Sequence, residues 1–273
     1  MAVALVLIVI AIGSVAFHFI SPWWWTPIAS NWGYIDDTIN LTFLITGVVF
    51  TVIICFVAYC VYKFRHVEGR RAAYEPENSK LEWWLTIGTA VGVAALLIPG
   101  LFVWGQFVTV PANATEVEVV GLQWRWSFRL PGKDGKMGTS DARLVSADNP
   151  LGINPADANG KDDVVIETED LHLPIGRPVK LLLRSIDVIH NFYVPEFRAK
   201  MDFMPGLVTY IWLTPTRTGT FDALCAELCG TGHYNMRGKV VVDTVADYEK
   251  WLATQKTFAE LTAQRRTLAQ ARQ

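Results

Sequence analysis

Hydrophobic and polar positions divide the chain into an apolar first part and a patterned second part. Residues 41–62 contain no charge and are long enough to cross a bilayer, which takes about 20 apolar residues. Residues 84–108 form a second such run, and Pro99-Gly100 within it is a site for a helix kink. The two runs predict a transmembrane helical hairpin over residues 41–108.

The distribution of charge orients this hairpin. The linker 21–40 carries no Lys or Arg, whereas the loop 63–82 between the runs is basic. Its basic residues are Lys63, Arg65, Arg70, Arg71 and Lys80. By the positive-inside rule the loop is cytoplasmic, so the residues after about 108 lie outside. The outer interface, where aromatic belts form, suits the tryptophans of the linker: Trp23, Trp24, Trp25 and Trp32.

Residues 2–20 are apolar enough for a third span or for a signal peptide. A signal peptide usually has a basic n-region and a small-x-small cleavage site. Here no basic residue is present, and His18-Phe19 followed by Pro22-Trp23 is a poor context for cleavage. The pattern favours a third helix with a cytoplasmic N-terminus, so residues 1–40 form an N-terminal apolar segment and an outer linker.

From Thr115 the pattern changes to strands. Residues 115–130 alternate apolar and polar positions and are rich in Val, Trp and Phe. Further candidate strands are 164–168, 178–185, 188–194, 207–213, 219–224 and 238–243. Short strands at this spacing imply a β-sandwich or barrel, here over residues 109–245. Residues 131–163 are rich in Gly, Asp, Asn and Pro and predict a long surface excursion, and residues 246–273 predict a C-terminal helical tail.

Composition narrows the classes of function. The 273 residues carry a net charge of −2, which gives no support to nucleic-acid binding, since that wants a basic surface. Four cysteines exclude a dense disulfide framework. Cys55 and Cys60 fall in an apolar run and are most simply membrane-helix residues. Cys225 and Cys229 lie in a polar, Gly-rich stretch and need another explanation.

Residues 225–236 hold a set of soft side chains, Cys225, Cys229, His233 and Met236, in the spacing C-x-x-x-C-x-x-x-H-x-x-M. Two thiolates, an imidazole and a thioether suit copper rather than Mg or Ca. A structural zinc site would not favour the thioether. His190 stands at the start of another predicted strand, where the fold could bring it against this loop.

Counting ligands favours two coppers over one. A single blue-copper centre needs one Cys with two His and a weak Met, so a second Cys is surplus. Cys225 and Cys229 can instead bridge two coppers, with His190 and His233 as terminal ligands, Met236 as one weak ligand and a backbone carbonyl as the other. A C-x-x-x-C disulfide remains open, since the outer compartment is oxidising. Taken singly, the histidines and the methionine could also be ordinary loop, strand-end and core residues.

Four segments carry a likeness to a known family: CAELCGTGHYNM, DVIHNFYVPEF with KMDFMPG, GLQWRWSF and ENSKLEWWLTI. In these segments the chain resembles cytochrome c oxidase subunit II, and the likeness runs over about residues 38–255. The resemblance implies a membrane-anchored all-β protein, in which a cupredoxin-like Greek-key β-barrel follows the transmembrane hairpin and carries a binuclear copper centre, CuA. The segment 2–20, the excursion 131–163 and the Gly-Thr-Gly before His233 depart from the family's usual form.

The resemblance also implies roles for single residues. It assigns the copper ligands counted above and adds the carbonyl of Glu227, whose carboxylate would help to bind a Mg ion shared with subunit I, since oxygen suits a hard cation. Trp124 matches the tryptophan through which cytochrome c passes its electron. Glu82 matches the carboxylate at the cytoplasmic mouth of a proton path. The plainer alternatives are a solvated loop glutamate, a barrel aromatic like Trp126, and a helix N-terminal glutamate favoured by the helix dipole.

The function implied by the resemblance is that of the subunit at which electrons enter a terminal oxidase. Cytochrome c would reduce CuA, and the electrons would pass to haem in the catalytic haem–copper subunit I, where O2 becomes water. The chain would lie in the lipid bilayer of the bacterial plasma (inner) membrane, with its copper domain on the periplasmic side. The acidic residues of 131–170, with Asp187, would steer a basic donor, unless they are simply solvated.

Two other functions remain open. The chain could serve a CuA-containing nitric oxide reductase in the same way, because nothing in it excludes that partner. It could also be a membrane-tethered copper-binding or thiol-redox module that acts alone, although small residues on the second span favour packing against a partner. Subunit II of a quinol oxidase is disfavoured, because that relative lacks the copper ligands present here.

Overall fold

The computed structural model describes residues 1–21, 26–72, 74, 76–167 and 170–271. The three tryptophans Trp23, Trp24 and Trp25, expected at the outer interface, lie outside the described residues, as does Glu169 of the acidic stretch. The chain divides into two compact units. A helical unit comprises residues 1–26 and 34–105, and an outer unit comprises residues 27–33 and 106–273.

In the described part of the helical unit, three helices are long and apolar enough to cross a membrane. They are α1 (Ala2–Ile20), α2 (Gly33–Lys63) and α3 (Ser79–Val108). Lipid offers no hydrogen-bond partner, so an apolar run satisfies its backbone by forming a helix. The predicted hairpin and the helical form of residues 2–20 are confirmed. Helix α3 continues through Pro99.

Four threonine hydroxyls of α2 are satisfied within the helix. The hydroxyls of Thr38, Thr42, Thr46 and Thr51 each donate to the carbonyl four residues earlier, at 2.6–2.8 Å. Such back-bonding removes unsatisfied hydroxyls from an apolar surface. These four threonines can therefore face lipid or another helix without an unpaired hydroxyl.

Helices α1 and α2 run antiparallel beside each other. The His18 ring near the end of α1 lies 5.6 Å from the Phe43 ring in the first half of α2. At the other end, Arg65 Nη1 lies 4.0 Å from Met1 Sδ. The N-terminus therefore lies at the same end of the helical unit as the basic loop, as expected for a cytoplasmic N-terminus.

The described residues of the outer unit form ten strands in two five-stranded sheets. The strands are β1 (Thr115–Leu122), β2 (Arg125–Leu130), β3 (Val164–Ile166), β4 (Leu171–Pro174), β5 (Val179–Ser185), β6 (His190–Val194), β7 (Ala199–Phe203), β8 (Thr209–Leu213), β9 (Gly219–Cys225) and β10 (Arg237–Asp243). One sheet has the order β3-β2-β1-β5-β8 and the other the order β4-β10-β9-β6-β7. The predicted all-β architecture is confirmed.

Alternation of buried and exposed positions places the core between the sheets. Along β5, Val179, Leu181 and Leu183 are buried while the residues between them are partly exposed. Strands β4 and β7 were not predicted from the sequence. The first has four residues and ends in a proline, and the second has Lys200 and Asp202 at its exposed positions, so neither gives a long apolar alternation.

The stretch 115–130 is a hairpin rather than one long strand. Strands β1 and β2 pair antiparallel, with Gly121 opposite Trp126 and Leu122 opposite Arg125. Gln123 and Trp124 form the turn between the two strands. Trp124 therefore lies at the tip of a hairpin, whereas Trp126 lies inside the sandwich.

The linker segment 27–33 packs on the outer unit. Trp32 donates from Nε1 to the carbonyl of Trp212 at 2.8 Å, and its ring contacts the rings of Trp212 and Phe107 at 4.7 and 5.1 Å. Trp32 is only 1% exposed. The expectation that it belongs to the aromatic belt is wrong, because protein side chains cover it completely.

The sequence predicted that the excursion 131–163 lies wholly on the surface, and the structure shows that part of it is buried. Leu151 and Ile153 are buried in a cluster with Val120, Val165 and Phe258. Phe258 begins α5 (Phe258–Gln270), which follows α4 (Val245–Thr254), so the predicted helical tail is two helices. Two isolated apolar residues in a polar loop give no periodic signal, yet they fix the loop against the sheet and the tail.

Buried charges also hold the excursion. Arg129 lies 2.8 Å from Glu118 and 3.0 Å from Asp163, and it donates to the Gly138 carbonyl at 2.8 Å. Arg184 adds a second contact to Glu118 at 2.8 Å. Burial raises the pKa of Asp163 to about 6, although Gly138 and Arg129 oppose the shift. Asp163 is fully buried, so it cannot contribute to an acidic docking face.

Candidate metal centre

The soft residues of 225–236 meet His190 because β9 pairs with β10 on one side and with β6 on the other. Strand β9 ends at Cys225, and β6 pairs with it so that Phe192 lies opposite Cys225. The Ala226 amide donates to the Asn191 carbonyl at 3.1 Å, and the Cys225 amide donates to the Met236 carbonyl at 3.1 Å. These bonds close the loop over the start of β6.

The side chains of this loop and His190 form one cluster. The two thiol sulfurs of Cys225 and Cys229 are 3.7 Å apart. His190 Nδ1 lies 4.0 Å from the Cys225 sulfur, and His233 Nδ1 lies 3.7 Å from the Cys229 sulfur. The Met236 sulfur lies 3.8 Å from that of Cys229. The structure thus brings together all five side chains that the sequence suggested as copper ligands.

A disulfide between the two cysteines is not formed. Both are free, and a sulfur–sulfur bond needs about 2.05 Å, well below the observed 3.7 Å. Burial, and then the neighbouring Cys225 thiol, raise the pKa of Cys229 to about 12. A bound cation reverses this preference, because thiolate is the form that ligates metal. Two thiols, two imidazoles and a thioether form a donor set that fits copper.

His190 is oriented by Asp187, a contact that the sequence reading missed. His190 Nε2 lies 2.8 Å from Asp187 Oδ1, and the other carboxylate oxygen accepts from the Gln123 amide at 2.8 Å. Burial acts to raise the pKa of Asp187, but the bonds from Gln123 and His190 outweigh it and hold that pKa below its usual range. With Nε2 engaged, Nδ1 is the nitrogen left for a metal. The spacing Asp-x-x-His at the start of a predicted strand is the sequence feature from which this contact could have been predicted.

Glu227 contributes its backbone to the cluster and turns its side chain outward. The Cys225 thiol donates to the Glu227 carbonyl at 3.2 Å. The residue itself is exposed, and the adjacent Leu228 is 77% exposed. The carbonyl therefore lies where it could act as a weak ligand, and the residue's side chain is on the exposed side of the loop.

Trp124 lies flat on the metal loop. Its indole Nε1 donates to the Cys229 carbonyl at 3.1 Å, and Gln123 Nε2 donates to the same oxygen at 2.8 Å. A Cβ on Gly232 would lie 2.3 Å from Cδ2 of the indole, so only glycine leaves room for the ring. Trp124 is 40% exposed. One side chain thus connects the surface with a cysteine of the cluster.

Glu82 belongs to the helical unit. It lies in the first turn of α3 and is exposed. Asn78 begins the helix by accepting from the Leu81 amide through its side chain at 3.1 Å and from the Glu82 amide through its carbonyl at 3.0 Å. Glu82 therefore lies at the end of α3 that adjoins the basic loop.

Comparison with known proteins gives consistent matches. The family described as cytochrome C oxidase subunit II, periplasmic domain, matches residues 115–245. The alternative cytochrome c oxidase subunit 2 of Bradyrhizobium diazoefficiens is 71% identical over 261 residues, covering 96% of this chain and 94% of that protein. Cytochrome c oxidase subunit 2 of Cereibacter sphaeroides is 27% identical over 239 residues, covering 83% and 77%.

Among solved structures, the periplasmic domain of subunit II of cytochrome oxidase from Bradyrhizobium japonicum is 26% identical. The match covers 54% of this chain and 96% of that one, with a TM-score of 0.40. An overlap this loose carries no argument about the cluster. The family model and the Bradyrhizobium diazoefficiens relative, aligned over 96% of this chain, are the matches that bear on the family.

Proposed function

The chain belongs to the cytochrome c oxidase subunit II family, and from that membership we propose that it is the subunit at which electrons from cytochrome c enter a terminal oxidase. Members of this family are components of a membrane-anchored oxidoreductase complex with a copper centre in the outer domain. The observation that carries the proposal is the cluster itself, in which His190, Cys225, Cys229, His233 and Met236 lie within 4.0 Å of a neighbour.

The copper centre is binuclear in this proposal. Cys225 and Cys229 would hold both ions as thiolates, and His190 and His233 would each hold one. Met236 and the Glu227 carbonyl are the weak ligands. The ligand count supports this assignment, because a single copper would leave one of two adjacent thiols without a role.

When bound, the copper pair supplies a one-electron acceptor and donor. The protein supplies its orientation and, on the side of His190 and Met236, its buried surroundings. Asp187 holds His190 in one tautomer, and Met236 and His190 are 1% and 0% exposed. A rigid, water-poor ligand set reduces the reorganisation that accompanies a change of charge.

Trp124 is the contact for the donor. Its ring is accessible at the hairpin tip, and its N–H bonds to the carbonyl of Cys229. The path from the surface to a copper ligand therefore consists of one aromatic ring and one hydrogen bond. The acidic charge of residues 131–170 would assist docking less than the sequence suggested, since Asp141 is paired with Arg143 and Glu167 with Arg265.

The remaining roles concern the partner subunits. The exposed Glu227 carboxylate is proposed to bind Mg together with the catalytic subunit I, because hard cations prefer oxygen. Glu82, on the side of the basic loop, is proposed as the mouth of a proton path. The chain is proposed to lie in the bacterial inner membrane with its copper domain in the periplasm. The 71% identity to a cytochrome c oxidase subunit supports O2 rather than NO as the final acceptor.

The proposal is tested on the purified complex with reduced cytochrome c as donor, following consumption of O2 and, separately, of NO. We expect O2 turnover that Trp124→Phe slows with cytochrome c but not with a small chemical reductant. Trp251→Phe is the matched control, because Trp251 stacks on His172 away from the cluster. Turnover of NO without O2 would replace the oxidase by the reductase, and equal rates in the two variants would remove Trp124 from the path.

A further inference from the structure

Trp126 is buried beside His190, and the proposed function gives this tryptophan no role. It lies on β2, two residues after Trp124, and is 5% exposed. Its ring meets the His190 ring edge-to-face at 6.2 Å between centroids. It also contacts the rings of Phe192 and Phe203 at 5.4 and 5.3 Å. Trp126 therefore connects a candidate copper ligand to the packed core.

The rings of His190 and Trp126 both pack against the backbone of Gly121. It lies directly opposite Trp126 in the β1–β2 pairing. A Cβ at this position would be 3.1 Å from Cδ2 of His190 and 3.4 Å from Cζ3 of Trp126. Such contacts are tighter than ordinary van der Waals packing. The absence of a side chain at Gly121 thus allows the imidazole and the indole to lie side by side against the backbone.

The imidazole of His190 is consequently restrained on three sides. Gly121 lies beneath it, Trp126 lies at its edge, and Asp187 holds Nε2 at 2.8 Å. A ligand whose rotamer is fixed by packing and by a hydrogen bond presents its metal-binding atom in one direction. Here that atom is Nδ1.

Filling space does not by itself explain an indole at this position. Among the described residues, Trp126 Nε1 is buried and has no hydrogen-bond partner. Burying an unpaired N–H group costs free energy, and a phenylalanine would fill much of the space without that cost. The extended ring, which reaches both the core and His190, is what phenylalanine lacks.

We propose that Trp126 is a positioning residue that fixes the ring plane of His190 and thereby sets how strongly this histidine is coupled to copper. The inference rests on the proposed function, because it takes His190 to be a copper ligand. It predicts that the size and the shape of the side chain at position 126 control the electronic properties of the centre, beyond any effect on folding.

The test uses the copper-loaded full-length chain in detergent. Pulsed EPR measures the coupling of histidine nitrogen to copper, and a redox titration measures the reduction potential. Trp126→Leu removes the ring and keeps an apolar side chain. Phe128→Leu is the matched control, since Phe128 is a buried ring two residues further along β2 that makes no ring contact with His190 in the described part of the chain.

We expect Trp126→Leu to change the nitrogen coupling and to shift the potential, and Trp126→Phe to do so less. Phe128→Leu should lower the thermal midpoint while leaving both spectroscopic readouts as in the wild type. Gly121→Ala, which presses on the His190 ring from the backbone side, is a second probe if Trp126→Leu does not fold. If the folded Trp126 variants keep the wild-type coupling of histidine nitrogen to copper, the positioning role of Trp126 is overturned while the proposed function stands. A wild-type chain without histidine-coupled copper would overturn the proposed function as well.

Discussion

Replacing Gly232 with alanine should displace Trp124 while leaving the copper ligands in place. The added Cβ would lie 2.3, 2.6 and 2.7 Å from Cδ2, Cε3 and Cγ of the indole, whereas carbon atoms in comfortable contact are about 3.5–4.0 Å apart. The ring must therefore retreat by about 1 Å. Gly232 has φ −90°, which alanine also adopts, so the effect is one of space and not of backbone strain.

A retreat of this size stretches the bond from Trp124 Nε1 to the Cys229 carbonyl, now 3.1 Å, beyond the limit of about 3.5 Å for a hydrogen bond. The loss in stability is small, about 1 kcal/mol, because one partly exposed hydrogen bond is removed. The loss in rate should be larger. A misplacement of about 1 Å at a reacting contact can reduce a rate by about 100-fold.

The assay is stopped-flow reduction of the complex by reduced cytochrome c, with copper content and the copper EPR spectrum measured on the same samples. Gly33→Ala is the matched control, because a Cβ there meets nothing within 4 Å. We expect Gly232→Ala to slow reduction with an unaltered copper spectrum. A wild-type rate in Gly232→Ala would refute the role of the Trp124 contact. A slower rate accompanied by loss of copper would also refute it, because the substitution would then act by disturbing the neighbouring ligand His233.

Three further predictions concern groups around the centre and the core. Asp187→Asn should weaken copper binding by about 10- to 100-fold, because it perturbs the partner of His190; competition with a chelator measures this, and unchanged affinity would contradict it. Asp163 has its pKa raised to about 6 by burial, whereas an unfolded carboxyl ionises at about pH 4. The folded state therefore loses stability, by about 3 kcal/mol, as pH rises from 4 to above 6; Asp163→Asn should abolish this step in denaturant unfolding, and an identical pH profile would count against it. In the metal-free chain at pH 8, Cys229 should resist alkylation because burial and Cys225 raise its pKa to about 12, and rapid labelling detected by mass spectrometry would disprove this.

Local patterns in the sequence predicted the elements whose signals are periodic. Charge-free runs predicted the three long helices, and alternation predicted most of the strands. The spacing of Cys225, Cys229, His233 and Met236 identified the ligand loop, because one short loop can gather these residues whatever the rest of the fold. His190 could be suggested only by its residue type and its place at a strand start, since the pairing of β6 with β9 brings it to the loop.

Contacts between segments that are distant in the sequence could not be predicted from these local patterns. Trp32 is buried against Trp212 by a linker that folds back, and Leu151 and Ile153 enter the core from a polar excursion. The close packing of Trp124 on Gly232 arises because the tip of the β1–β2 hairpin contacts the metal loop. Hydrophobic periodicity carries no information about such meetings, because they are set by sheet order and by chain reversal.

The proposed roles of Glu227 and Glu82, and the identity of the electron donor, can be tested only with partner proteins present. The proposed copper ligands all belong to this chain. The cluster therefore provides the most direct test of the account. It requires copper analysis and EPR spectroscopy of the purified full-length chain after copper loading. We predict two coppers per chain and an unpaired electron shared equally between two copper nuclei, lost together in Cys225→Ser. One copper per chain with the electron on a single nucleus would contradict the binuclear centre.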